Sequence, residues 1–340
     1  NQRGSQSLLS PASFEQLNKM PNAVQQVLLE INQLRVRYRS LGPLKALLKG
    51  NKDPYLDAVA DVSMTLVEGE TYGIVGESGA GKTTLGRTIV GLASATSGSI
   101  RLNNTELTNL PEKEYKSHRR EIGMMFQDPV ASLSPRLTVR SLLSEPFQIH
   151  QVNLNQIDQN IERLLNMVGL LPDFLDRYPH ELSGGQARRV GVARALALEP
   201  RLIIADEPTA GLDVSVQGEI LNLMADLQDQ LNISYLIISH NLPVVRHVSD
   251  KIAIMYLGRF VEQGNAEAIF NRPGHPYTKA LLEGVPQPDP DKRREIVSIE
   301  GEVPSLADRP TGCEFHTRCN YAQSLCKQEK PTLQKLGSNQ

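Results

Sequence analysis

The chain has 340 residues, 36 basic and 38 acidic side chains, a formal charge of −2 and 40% hydrophobic residues. That apolar content excludes wholesale disorder, and the length fits about two domains or one large α/β domain with additions. The near-zero charge argues against bulk nucleic-acid binding. Three cysteines exclude a disulfide scaffold, and no apolar run reaches the ~18–20 residues that span a bilayer.

Residues 1–27 are polar and read as a linker or tail, without the apolar core of a signal peptide. The first residue is Asn rather than Met, which fits a processed product or the second half of a longer fused chain. Leu28–Ile31 and Leu34–Tyr38 alternate like strands, and residues 40–54 look inserted, with turn signals around a short helical pattern. Val59–Leu66 and Thr71–Val75 are further strand-like runs, broken by Glu68-Gly69-Glu70. From 130 to 200 the chain reads as helical. Ile161, Leu164, Leu165 and Val168 share one helix face, and a second helix over 186–198 stops at Pro200. Arg201–Ala205 and Ser234–Ser239 read as buried strands separated by a helix around 214–231. This β-α-β alternation predicts an α/β fold with a mostly parallel sheet. After 264 the pattern turns Pro-rich and reads as an appended region.

Gly76-Glu77-Ser78-Gly79-Ala80-Gly81-Lys82-Thr83, followed by Thr84, fits the phosphate-loop pattern between a strand and a helix. Its glycines let successive N–H groups turn around phosphate oxygens, and the helix start adds a favourable dipole. Lys82 would reach the β- and γ-phosphates, and the Thr83 hydroxyl would bind Mg²⁺. The apolar strand Leu202–Ala205 ends in Asp206-Glu207. Asp206 suits Mg²⁺ and Glu207 suits a water-polarising base. His240 and Gln127 also follow apolar strands, so both are candidates for the same sheet edge: His240 for the γ-phosphate, Gln127 for Mg²⁺ or the attacking water. Leu182-Ser183-Gly184-Gly185-Gln186 opens a second helix with exposed N–H groups that suit another phosphate. It lies in the helical segment, away from the nucleotide edge. A facing second copy would bring it to a nucleotide.

This ordered set resembles the ATP-binding subunits of ABC transporters, over about residues 30–264. Gly76–Thr83 resembles Walker A, Gln127 the Q-loop, Leu182–Gln186 the signature, Leu202–Glu207 Walker B and His240 the H-loop. Ala210-Gly211-Leu212-Asp213 resembles the D-loop but departs from Ser-Ala-Leu-Asp in its first two places. The resemblance implies a P-loop ATPase over 28–264 with a helical subdomain at about 128–198, ATP and Mg²⁺ as cofactors, and two such units closing head to tail. Ser183, Gly184, Gly185, Gln186 and Asp213 would then meet the opposite nucleotide. It also implies an aromatic stacked on adenine; Tyr38 is the first choice and Tyr55 the alternative.

Phe126-Gln127-Asp128-Pro129, Asp213-Val214-Ser215-Val216-Gln217 and His275–Leu282 resemble the oligopeptide/dipeptide (and nickel) importers. So does the tail around Gly312-Cys313-Glu314-Phe315, making 265–340 an extension of that type. The subfamily implies two transmembrane permease subunits, a second homologous ATP-binding subunit or domain and a substrate-binding protein. It implies no nucleic acid, and a peripheral position on the cytoplasmic face of the cell membrane. Cys313, Cys319 and Cys326 are candidate ligands of zinc or a [4Fe–4S] cluster, each of which usually takes four ligands; His316 or a residue further on would supply the fourth. The rival readings are an ABC-type ATPase without a transporter and a cysteine tail acting as a redox sensor.

Overall fold

The computed structural model describes residues 26–39, 55–285, 299 and 301–336. The expected polar tail (apart from Gln26 and Val27) and the expected insertion at 40–54 lie outside the described residues. In chain order the strands are β1 (Val27–Arg39), β2 (Tyr55–Val67), β3 (Thr71–Val75), β4 (Ser97–Leu102), β5 (Thr105–Glu106) and β6 (Ile122–Met125). They continue with β7 (Leu202–Asp206), β8 (Ser234–Ser239), β9 (Lys251–Tyr256) and β10 (Arg259–Asn265). The helices are α1 (Lys82–Ile89), α2 (Glu112–His118), α3 (Pro129–Ser132), α4 (Val139–His150) and α5 (Ile157–Met167). After them come α6 (Gly184–Leu196), α7 (Val214–Leu231), α8 (Leu242–Val248), α9 (Ala266–Asn271) and α10 (Pro276–Glu283).

Two sheets form. One is antiparallel in the order β2-β1-β4-β5; the other has the order β10-β9-β3-β8-β7-β6, parallel from β9 to β6 with β10 antiparallel at its edge. The two strand runs expected over 28–38 are one strand, β1, which opens at Val27. Gln33 takes φ 46° at a register shift, so the alternation restarts without breaking the strand.

Alternation decides which core each strand feeds. Leu202 and Ile204 of β7, with Leu236 and Ile238 of β8, face a core shared with α1 and the antiparallel sheet. Ile203, Ala205, Tyr235 and Ile237 face the opposite core with α4, α5, α6 and α7. All eight side chains are at most 1% exposed, and each large one contributes ~1.5–3 kcal/mol of burial. A third core joins Val75, Ile252 and Ile254 to α8, α9, Tyr277 and Phe315. The region after 264 is therefore seated on the sheet: Ile269 and Tyr277 are fully buried and Phe315 is 2% exposed.

The helix expected over 158–170 is observed as α5, with Ile161, Leu164 and Leu165 buried as their spacing predicts, but it stops at Met167 and leaves Val168 as its C-cap. The second expected helix starts two residues earlier than its predicted start, at Gly184. Ser183 caps it through a reciprocal hydrogen-bond pair with Gln186.

Candidate functional site

The parallel register aligns the carboxyl ends of four strands. Val75 pairs with Ser239, Asp206 with Ile238, and Met125 with Ala205. The residues that follow them, Gly76, His240, Glu207 and Phe126-Gln127, therefore emerge on one edge, where α/β sheets bind ligands. The loop leaving β3 is pressed between two neighbours. A Cβ on Gly76 would lie 2.2 Å from the Met255 carbonyl oxygen, and one on Gly81 (φ 102°) 2.2 Å from that of Ala58. Only glycine fits either place.

Lys82 is buried and folds back over the loop, its Nζ donating to the carbonyl oxygens of Gly76 (2.7 Å) and Glu77 (3.0 Å). Burial lowers its pKa, against the opposing pull of Glu207, Asp206 and Glu77. Ser78 and Gly79 are exposed at the loop tip, Ala80 is buried, and Thr84 lies one residue into the helix after Thr83. The Thr83 hydroxyl donates to Asp206 Oδ1 at 3.2 Å, so the two groups assigned to Mg²⁺ touch each other. Burial raises the Asp206 pKa, more than the Thr83 hydrogen bond lowers it.

A carboxyl group whose folded pKa is raised favours folding while protonated and costs stability once pH rises through that pKa. Asp206→Asn therefore raises the melting temperature of nucleotide-free protein by a few degrees near neutral pH. The gain shrinks as pH falls into the ordinary carboxylate range. Mg²⁺-dependent hydrolysis is lost in the same variant. Thermal melts across pH in metal-free buffer check this, and equal melting temperatures near neutral pH would refute it.

Glu207 takes a left-handed backbone (φ 52°), rare for a non-glycine residue. The turn separates its side chain from that of Asp206. Its carboxylate is buried and accepts from the His240 amide (3.1 Å), with His240 Nδ1 at 2.7 Å. The imidazole, 65% exposed, thus rests on Glu207 at the rim of the same edge. Gln127 is exposed, as is Phe126 before it.

Sequence reasoning missed Arg188. This guanidinium is 2% exposed and donates to three carbonyl oxygens: Gln127 (3.3 Å), Glu207 (3.4 Å) and Ala210 (2.7 Å). One side chain of α6 therefore ties together the residues that resemble the Q-loop, Walker B and the D-loop. The sequence does not single it out, since two arginines, Arg188 and Arg189, lie between the apolar positions Ala187 and Val190. Arg188→Met leaves the Gln127 and Ala210 carbonyls without this donor, whereas that of Glu207 keeps the Ala210 amide at 3.1 Å; the cost is about 1–3 kcal/mol per buried group lost. The expected result is a clear drop in melting temperature, together with turnover reduced by at least tenfold. Unchanged turnover in the folded variant would exclude a positioning role.

Ser183, Gly184, Gly185 and Gln186 line a groove of about 590 Å³ with Gly211, Leu212 and Asp213. Ser183 caps α6 and Asp213 caps α7, accepting from Val216 N at 3.0 Å, so two helix N-termini open into one groove. No phosphate-loop residue lines it. Tyr38 and Tyr55 are both about half exposed on the antiparallel sheet, and the Arg37 guanidinium covers the Tyr55 ring at 5.5 Å. The three cysteines are free thiols of intermediate burial. The Cys313 amide donates to the Cys326 carbonyl at 2.8 Å, and burial pushes the Cys313 thiol up. Among the described residues no group of three or more His, Cys, Asp or Glu is placed to hold a metal.

The ABC transporter family model matches residues 59–210, and the model described as the oligopeptide/dipeptide transporter C-terminal region matches 261–326. The chain is 46% identical to the oligopeptide transport ATP-binding protein AppF of Bacillus subtilis, over 92% of this chain and 95% of that one. It is 44% identical to the oligopeptide transport ATP-binding protein OppF of Escherichia coli, over 91% and 93%. Among solved structures, the dimeric post-hydrolysis state of the ATP-binding cassette MJ0796 with ADP and Pi is similar, with TM-score 0.62 and 27% identity. That match covers 70% of this chain and 99% of that chain. CbiO1 from Clostridium perfringens, part of an ABC transporter complex, matches with TM-score 0.63 and 29% identity over 73% and 92%. With a phosphate loop, two sheet-edge carboxylates and a capped signature helix in this arrangement, the chain belongs to the ABC transporter family, as an ATPase subunit carrying the oligopeptide/dipeptide-type C-terminal region.

Proposed function

We propose that this ATPase powers uptake of di- and oligopeptides through separate membrane subunits, by closing against a facing nucleotide-binding unit. The observation that carries the reading is the split of phosphate-binding features. Gly76–Thr84, Asp206, Glu207 and His240 share one sheet edge, whereas Ser183 and Asp213 open a different groove. In the assembly, Lys82, Thr83 and the loop N–H groups hold ATP, Asp206 and Gln127 hold Mg²⁺, and Glu207 polarises water. His240 steadies the γ-phosphate, while Ser183, Gly184, Gly185, Gln186 and Asp213 serve the facing unit's nucleotide. Tyr38 takes the adenine, because Arg37 already covers Tyr55. ATP favours the closed pair and hydrolysis releases it.

The reading divides the chain into a nucleotide-binding unit at 28–264, with its helical part at about 128–198, and the extension at 265–340. Its partners are two permease subunits, a second copy or related ATP-binding subunit, and a substrate-binding protein, at the cytoplasmic face of the membrane. No described helix is long and apolar enough to cross a membrane. A peptide substrate follows from the likeness to oligopeptide transport ATP-binding proteins and from the oligopeptide/dipeptide-type C-terminal region of this chain. The three thiols alone fall one short of the four ligands that a structural zinc or a [4Fe–4S] cluster takes.

The test is isolation of the tagged chain from detergent-solubilised membranes, followed by ATPase assay with peptides and substrate-binding protein. Two co-purifying permeases and peptide-stimulated turnover are expected. Isolation without any membrane subunit would overturn the reading.

A further inference from the structure

Glu77, second in the phosphate loop, is held at three polar groups. Its carbonyl accepts from Lys82 Nζ at 3.0 Å, and its amide donates to the Tyr277 hydroxyl at 3.1 Å. Its carboxylate takes a two-pronged pair from Arg318, at 2.7 Å (Nη1 to Oε2) and 2.9 Å (Nη2 to Oε1). Two of the three partners belong to the C-terminal extension. Tyr277 is fully buried and Arg318 is 8% exposed, so neither is a surface contact screened by water.

The extension is fastened so that these two side chains stay put. The Tyr277 ring packs at 4.7 Å from that of Tyr256 at the end of β9, and Phe315 packs at 5.2 Å from Tyr277 and 5.4 Å from Tyr256. Glu314, beside Phe315, accepts from Arg259 Nε (3.1 Å) and Arg309 Nη1 (2.8 Å). Arg259 Nη1 reaches on to Asp61 of β2 at 2.9 Å. The turn that carries Arg318 is thus anchored both to β9 and to the sheet that bears Tyr38.

Two consequences follow for a polyanionic ligand. Glu77 belongs to the phosphate loop itself, and its carbonyl oxygen lies 3.0 Å from Lys82 Nζ. Glu77 therefore sits close enough to the phosphate cradle to repel ATP unless it is neutralised, and Arg318 does so with bidentate geometry. When Lys82 swings to the phosphates, the Glu77 carbonyl keeps only the Ala80 amide, at 3.2 Å. Tyr277 and Arg318 then remain to keep the loop open and to hold the Glu77 amide aside, leaving the later N–H groups to the ligand.

We propose that Arg318 and Tyr277 are positioning residues of the ATP site, acting through Glu77, so that the extension sets ATP affinity and not the chemical step. The proposal rests on reading Gly76–Thr84 as the ATP phosphate site.

The experiment measures binding of a fluorescent ATP analogue and steady-state hydrolysis by the full chain. Arg318→Met is expected to weaken ATP binding about tenfold (~1.4 kcal/mol) with kcat at saturating ATP within about twofold of wild type. Arg318→Lys recovers part of the affinity. Glu77→Gln/Arg318→Met recovers most of it, because no orphan carboxylate remains. Raising the salt narrows the gap between Arg318→Met and wild type, as screening of a repulsion requires. Tyr277→Phe, which keeps the ring packing, weakens binding several-fold; it also decides the matter should Arg318→Met fail to fold.

Equal affinity of the folded single variants and wild type overturns the proposal, as does a double variant no better than Arg318→Met, or a loss confined to kcat. A wild-type chain that binds no ATP overturns the reading of the loop itself, which separates the two failures.

Discussion

Glu207→Gln is expected to lower ATP hydrolysis by about 10²–10⁴-fold, the usual contribution of a positioned general base. ATP affinity should stay within a few-fold of wild type. The amide is close in size to the carboxylate and can still accept from the His240 amide, so the 3.1 Å contact that fixes the side chain survives. Only the capacity to take a proton from water is removed. Because closure depends on γ-phosphate contacts and not on turnover, the variant should accumulate as an ATP-bound dimer that wild type forms only transiently. Size-exclusion chromatography with light scattering, in the presence of Mg-ATP, measures this. Retained turnover would exclude Glu207 as the base, and a monomeric, inactive variant would separate catalysis from closure. His240 adds a second arm. With Nδ1 at 2.7 Å from Glu207, its ring orients the carboxylate, so His240→Ala should lower kcat more than it raises KM.

Lys82→Met should weaken ATP binding by about a hundredfold or more, since the charge-assisted contacts to phosphate oxygens disappear. Burial lowers the Lys82 pKa, so its charged form is carried at a cost in the folded state around neutral pH. Methionine fills a similar volume without that cost, at the price of the donors to Gly76 and Glu77. Relief of that cost opposes the loss of the donor to the buried Gly76 carbonyl, so the readout is the ligand response: no rise in melting temperature when Mg-ATP is added. A persistent ATP-induced shift in melting temperature would show that phosphate binding lies elsewhere.

The placement of the motifs was legible because each is contiguous and shaped by its own backbone. Gly76–Thr83 follows a strand and opens a helix, and Ser183 caps a helix with Gln186 three residues on; both patterns are local and survive any arrangement of distant elements. The region after 264 was harder to read. Short helices among prolines carry little periodicity, and burial of Tyr277 and Phe315 depends on β9 and on residues far away in the chain. The two strand runs over 28–38 looked separate because Gln33 interrupts the alternation with a left-handed residue, a conformation that side-chain pattern does not encode.

The sequence by itself determined the inventory: a phosphate loop, two carboxylates after a buried strand, a polar side chain at the end of two more, and a capped helix suited to a second phosphate. Tertiary structure alone decided who meets whom. The sheet order β10-β9-β3-β8-β7-β6 is not the chain order, so Thr83 reaches Asp206 across 123 positions and Arg318 reaches Glu77 across 241. Arg188, His240 on Glu207 and the Glu77 clamp are such long-range contacts. Local propensity is set by residues within a turn or two, whereas these pairings are set by which faces of the sheet must be covered to bury apolar surface.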